Sequence, residues 1–146
     1  MTPSPADIAR DVVRMIETRD SDRFVNHFAE DGVMNFPFSA PGFPAVLKGR
    51  AEVEAYYAAA AERRSLIDVH GVEATIRETD DPEVVVLEVE HHGHSRAIDA
   101  PYRLRALGVI RVRDGKIVNY DDYMNPLVVA GITGRMQALV EALGNA

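Results

Sequence analysis

The chain has 146 residues, 47% hydrophobic and 27% charged, with 16 basic against 23 acidic side chains, five histidines and no cysteine or tryptophan. That length suits one domain over residues 1–146, long enough to bury a sizeable core. A net charge of −7 excludes the basic footprint of a nucleic-acid or anionic-membrane surface, and the lack of cysteine removes disulfides, thiol nucleophiles and thiolate metal sites together. The segment MTPSPADIARDVV lacks a basic stretch followed by an apolar one, and nowhere do 18 apolar residues run together. A soluble, cytoplasmic domain acting on something small is therefore expected.

In chain order, Ser4-Pro5 opens a helix, with serine as cap, proline at the first helical position and Asp7 three residues on. Ile8, Val12, Met15 and Ile16 form its apolar stripe up to about Arg19. Asp20-Ser21-Asp22 breaks and recaps, and Phe24, Val25 and Phe28 predict a short second helix. Asp31-Gly32 then turns the chain into an extended run over 33–38. Residues 39–49 form an irregular yet apolar loop, which either packs on the body or covers a pocket. Gly49 precedes a helix to about Arg64 carrying Val53, Tyr56, Tyr57 and Ala60 on one side.

From Leu66 the texture is β, with segments 66–78, 83–95, 99–113 and 116–124. Asp114-Gly115 is a strong hairpin signal between the last two. Asn125-Pro126 caps a short helical turn, and Thr133 starts a final helix with Met136, Leu139, Val140 and Leu143. Helices followed by a run of strands predict an α+β fold: a curved antiparallel sheet of about four long strands plus one short, making a cone. Three N-terminal helices would lie on its concave face, with a C-terminal helix at the end.

Motifs for familiar cofactor chemistry are missing: there is no GxSxG, GxGxxG or P-loop, and no cofactor is expected. In His91-His92-Gly93-His94 a strand puts His92 and His94 on one face and His91 on the other, without an identifiable third ligand, so no metal is expected. Strand alternation also puts Glu88, Glu90 and His92 together, opposite Leu87 and Val89. These carboxylates could serve chemistry, or simply face solvent and pair with arginines. Arg103, Arg105, Arg111 and Arg113 alternate with apolar residues and read as one solvated basic face. In the last strand, Val118, Tyr120, Asp122 and Met124 share a face opposite Ile117, Asn119, Asp121 and Tyr123. A carboxyl between Tyr120 and Met124 sits in semi-apolar surroundings, which raises its pKa and suits proton transfer near neutrality.

Two stretches carry a resemblance. FAEDGVMNFPFSAPGFPAVLKGRAEVEAYY is similar to the strand–loop–helix segment of the nuclear transport factor 2-like superfamily, and GVIRVRDGKIVNYDDYMNP to its last hairpin. That superfamily includes ketosteroid isomerase, limonene-epoxide hydrolase, SnoaL-like polyketide cyclases and the phenazine-biosynthesis A/B group. The resemblance spans essentially the whole chain and implies a cone-shaped barrel, commonly a homodimer, with an apolar pocket and roles in secondary metabolism. The ketosteroid isomerase residues are not matched: Phe36 stands where its aspartate base precedes a proline, Gly108 near its oxyanion-hole acid, and Met15 or Ile16 near its tyrosine. Of the epoxide hydrolase Asp-Arg-Asp set, Asp122 matches the final aspartate, while Glu88 and Glu90 stand where the others would be. Asp122-Tyr123-Met124-Asn125, together with Glu88, Glu90, His92 and Gly93, is most similar to the phenazine A/B group, whose helical histidine is replaced by Tyr56.

The expectation is thus a cofactor-independent acid/base enzyme of the isomerase, cyclase or dehydratase type, acting on a small, mostly apolar molecule. Asp122 would be the general acid/base, with Glu90 and His92 setting its proton affinity. Tyr56, Tyr120 and Asn35 would orient a polar group, and Phe36, Phe38, Phe43, Met124 and Glu88 would complete the substrate contacts. Two alternatives stay open: epoxide-hydrolase-like water addition, and non-catalytic binding of an apolar molecule by a dimeric cone.

Overall fold

The computed structural model describes residues 1–145. Helix α1 (Pro5–Thr18) starts where the capping box requires: Ser4 Oγ accepts from the Asp7 amide at 3.1 Å and Asp7 Oδ2 accepts from the Ser4 amide at 3.0 Å. Its stripe of Ile8, Val12 and Met15 is buried. The helix ends at Arg19, whose left-handed φ of 62° turns the chain. A short α2 (Ser21–Asn26) follows.

Strand β1 (Phe28–Asn35) begins earlier than expected, taking Phe28 out of the second helix. The Asp31-Gly32 turn is instead an irregularity inside the strand, between Phe28 and Val33. Gly32 is required there, because a Cβ would lie 2.6 Å from the carbonyl oxygen of Ile117. The apolar loop contributes a short β2 (Val46–Lys48) on β1, and α3 (Arg50–Arg64) then crosses to the far side. The four β segments are β3 (Ile67–Glu78), β4 (Val84–Ser95), β5 (Ala100–Arg113) and β6 (Lys116–Met124), each within a residue of its sequence-based bounds. Helices α4 (Pro126–Ile132) and α5 (Met136–Gly144) complete the described chain. The last helix starts after Thr133 because Gly134 adopts φ 72° and breaks the run. No helix among the described residues is long and apolar enough to cross a membrane.

The six strands form one curved, unclosed sheet in the order β2-β1-β6-β5-β4-β3. Its pairings are antiparallel except β1 with β6, which is parallel and corrects the expected all-antiparallel sheet. The crossover explains it: α3 carries the chain to the far edge, and the β3–β6 meander returns beside β1 running the same way. A second correction lies in β6. A bulge between Arg111 and Val112 sets Val112 opposite Ile117 and Arg111 opposite Asn119, so Ile117 joins the core rather than the face of Asn119 and Asp121. On the concave face Phe24 packs edge-on against Phe28, Tyr57 and Tyr120, with ring centroids 5.2, 5.3 and 5.6 Å apart.

Candidate functional site

A cavity of about 270 Å³ lies between the concave face of the sheet and α1, α3 and α4. Its walls are mainly apolar, as small-molecule sites usually are: Val12 and Met15 from α1, Phe36 and Phe43 from the loop region, and Val89 and Ala106 from the sheet. The polar groups that reach it are few, and they fall into two sets.

The first set surrounds Asp122. Alternation along β6 turns Tyr120, Asp122 and Met124 inward, and all three line the cavity. Burial alone drives the Asp122 carboxyl up to about 7, and no arginine contributes to that shift. The surface that Asp122 keeps faces the cavity, so it is buried among protein atoms without being sealed in. Asp122 pairs across the sheet with Gly108, and the Tyr120 hydroxyl lies 2.8 Å from where a Cβ at position 108 would sit. The missing side chain makes room for that hydroxyl. Burial, then the charge of Asp122, also raises the Tyr56 phenol above its usual range and the Tyr120 phenol well above it, so both stay protonated.

The second set is cationic. Arg19 from the end of α1, Arg63 and Arg64 from the last turn of α3 and Arg135 from the α4–α5 junction all line the cavity. The Arg64 guanidinium stacks 4.7 Å over the Tyr57 ring. Arg19 Nη2 donates to the Arg64 carbonyl at 2.5 Å. His91, on the same wall, is pushed down to about 4 by burial and by Arg19 and Arg64, so it is neutral at physiological pH. Its Nδ1 lies 2.8 Å from the Tyr102 hydroxyl. When that hydroxyl donates, Nε2 carries the ring proton.

Of the sequence-based candidates, Asp122, Tyr56, Tyr120, Phe36, Phe43 and Met124 come together around the cavity. Glu88, Glu90 and His92 do not. The period of two that groups them also opposes them to Leu87 and Val89, and burying those apolar residues sends the carboxylates to the convex face. There Glu88 pairs with Arg77 at 2.8 Å, and Glu90 with Arg103 and, at 3.3 Å, Arg105. His92 lies against Gly71 of the neighbouring strand. Neither Glu90 nor His92 can set the proton affinity of Asp122. Asn35 is also on the convex face, donating to Asn119 at 3.0 Å and Asp121 at 2.8 Å. Phe38 is 63% exposed and rests edge-on against Tyr123 outside the cavity.

Sequence reasoning missed His91, Tyr102 and the four arginines as site residues. Alternation does put His91 with Leu87 and Val89, which was signal enough. The arginines stand at helix ends and a junction, where no periodicity announces direction. Among the described residues no three His, Asp or Glu side chains gather as a metal site would need.

Residues 9–120 match the family model of the SnoaL-like domain. The chain is 32% identical over 111 residues to YesE of Bacillus subtilis, an uncharacterised protein, covering 76% of this chain and 74% of that one. An uncharacterised PhzA/B-like protein of Pseudomonas aeruginosa is 26% identical over 134 residues, 92% of this chain and 93% of its own. A crystal structure from Bacillus subtilis, described provisionally as an isomerase, superposes with a TM-score of 0.78 at 28% identity, covering 90% of this chain and 93% of that one.

Proposed function

Because the chain belongs to the SnoaL-like domain family, with a nuclear transport factor 2-like fold, we propose that its cavity performs cofactor-independent proton transfer on a small, largely apolar molecule, with Asp122 as the general acid/base. The observation that carries this reading is the Asp122 carboxyl, buried against an apolar cavity without an ion-pair partner, a setting that pushes its pKa up to about 7. A group with that pKa is populated in both forms at neutral pH, which is the condition for taking a proton and returning it.

In this reading Asp122 removes a proton from a carbon next to a carbonyl. Tyr56 or Tyr120, held protonated, donates a hydrogen bond to the oxygen on which charge develops. Returning the proton to a different carbon completes an isomerisation. Attack of the enolate carbon on a second carbonyl, which takes up the proton, completes a cyclisation. The apolar walls exclude water and strengthen each of these interactions. The provisional description of the Bacillus subtilis structure as an isomerase supports the isomerase side of the choice.

Carbon-acid exchange tests the reading whichever carbonyl compound is the natural substrate. Enolisable ketones and enones incubated with the protein in D2O and followed by NMR are expected to gain deuterium faster than background, and Asp122→Asn to abolish the gain. Exchange that persists in Asp122→Asn would move the chemistry elsewhere. Binding of the same compounds without exchange by the wild type would favour a binding module.

A further inference from the structure

The chain carries a net charge of −7, yet the cavity collects four arginines from three separate parts of the fold against one carboxyl. Their pairing is as unusual as their number. The five arginines on the convex face of the sheet, Arg77, Arg103, Arg105, Arg111 and Arg113, each hold a carboxylate. Arg19, Arg63, Arg64 and Arg135 form no ion pair among the described residues. Asp68, the carboxylate nearest in effect to Arg19, is held by Arg96 at 3.1 Å.

Helix ends explain part of this, since basic side chains are favourable on the last turn of α3. They do not explain why Arg19 is drawn half into the protein beside Arg64, where burial and like charge both work against it, nor why Arg135 joins from another element. Collecting partly desolvated cations without counter-charges is costly unless an anion arrives. Arg64 is also oriented in advance by its stacking on Tyr57, and Arg19 by its bond to the Arg64 carbonyl. A guanidinium fixed in this way presents the paired donors that match a carboxylate.

We infer that the cavity takes an apolar, aryl-sized molecule bearing one carboxylate, which the arginines bind while the uncharged part extends toward Asp122. This rests on the reading of the cavity as the functional site and names the class of ligand it selects. The two polar sets come from different elements, Asp122 from β6 and the arginines from the ends of α1 and α3 and the α4–α5 junction, so that they can divide the work.

The test uses isosteric pairs that differ only in charge: benzoate with benzamide, cinnamate with cinnamamide, and 2-naphthoate with 2-naphthamide. Calorimetry at pH 7.5 and low salt is expected to show at least one acid binding about tenfold or more tighter than its amide, a difference of about 1.4 kcal/mol. Arg64→Gln and, on a separate element, Arg135→Gln should each cut the preference about threefold or more while leaving amide affinity within error and without lowering the melting temperature, and rising salt should erode it. Equal binding of every acid and its amide, or a preference unchanged in both variants, overturns the carboxylate inference and leaves the cavity reading in place. Failure of all six compounds to bind overturns both.

Discussion

The two faces of one sheet use charge in opposite ways. On the convex side carboxylates and arginines meet in ion pairs: Glu88 with Arg77, Glu90 with Arg103 and Arg105, and Glu83, in the turn before β4, with Arg111 and Arg113. On the concave side Asp122 has no cation, and the arginines that helix ends and the α4–α5 junction bring to the cavity have no carboxylate among the described residues. The strands are the same, so β propensity does not distinguish the faces. The lesson is that a paired exposed charge mostly satisfies the protein itself, whereas a desolvated unpaired one is available to something else.

Breaking the concave side should have the largest effect. Asp122→Asn is expected to slow proton transfer by about 10²–10⁴-fold, measured as deuterium incorporation into a responsive ketone. It should also stabilise the fold. A carboxyl raised from 3.8 to about 7 binds its proton more tightly in the folded state, so wild-type stability falls as pH rises between those values. Asparagine removes that penalty. The gain at pH 8, read from urea unfolding, should approach about 4 kcal/mol and vanish near pH 4.

Gly108→Ala is a subtler break. Its Cβ would press on the Tyr120 hydroxyl, and the Tyr120 ring is held against Phe24 and Phe28. A loss of about 1–3 kcal/mol in unfolding free energy is expected, with reduced exchange activity from the displaced hydroxyl.

The convex side should barely respond. Glu90→Gln and His92→Gln are expected to cost less than about 1 kcal/mol and to leave exchange rates unchanged, the opposite of what Asp122→Asn does. A large loss of exchange in either variant would collapse the distinction between the faces.

Much of the fold was legible in the chain because local signals agree with the global arrangement. The Ser4-Pro5-Asp7 cap, the Asp114-Gly115 hairpin and four long alternating segments each correspond to what forms. The parallel β1–β6 pair was not legible, since parallel pairing is decided by a crossover and leaves no local mark. At the site, alternation correctly turned Tyr120, Asp122 and Met124 together, but a grouping by alternation does not say which face is inside. Glu90 and His92 were grouped correctly and read on the wrong side, although Leu87 and Val89 opposite them fix which face must be buried. Asn35 and Phe38 illustrate a different limit. Their directions depend on how β1 pairs with β6 and on where the strand ends. The arginines lay beyond any pattern because helix ends and junctions have no period to read.

The most direct measurement is the titration of the Asp122 carboxyl by ¹³C NMR, assigned by its loss in Asp122→Asn. A midpoint at about 7 is the expected result. A midpoint near the ordinary value of 3.8 would mean that Asp122 is hydrated or paired like the carboxylates outside, and would contradict the division of the sheet into a self-neutralised face and a working one.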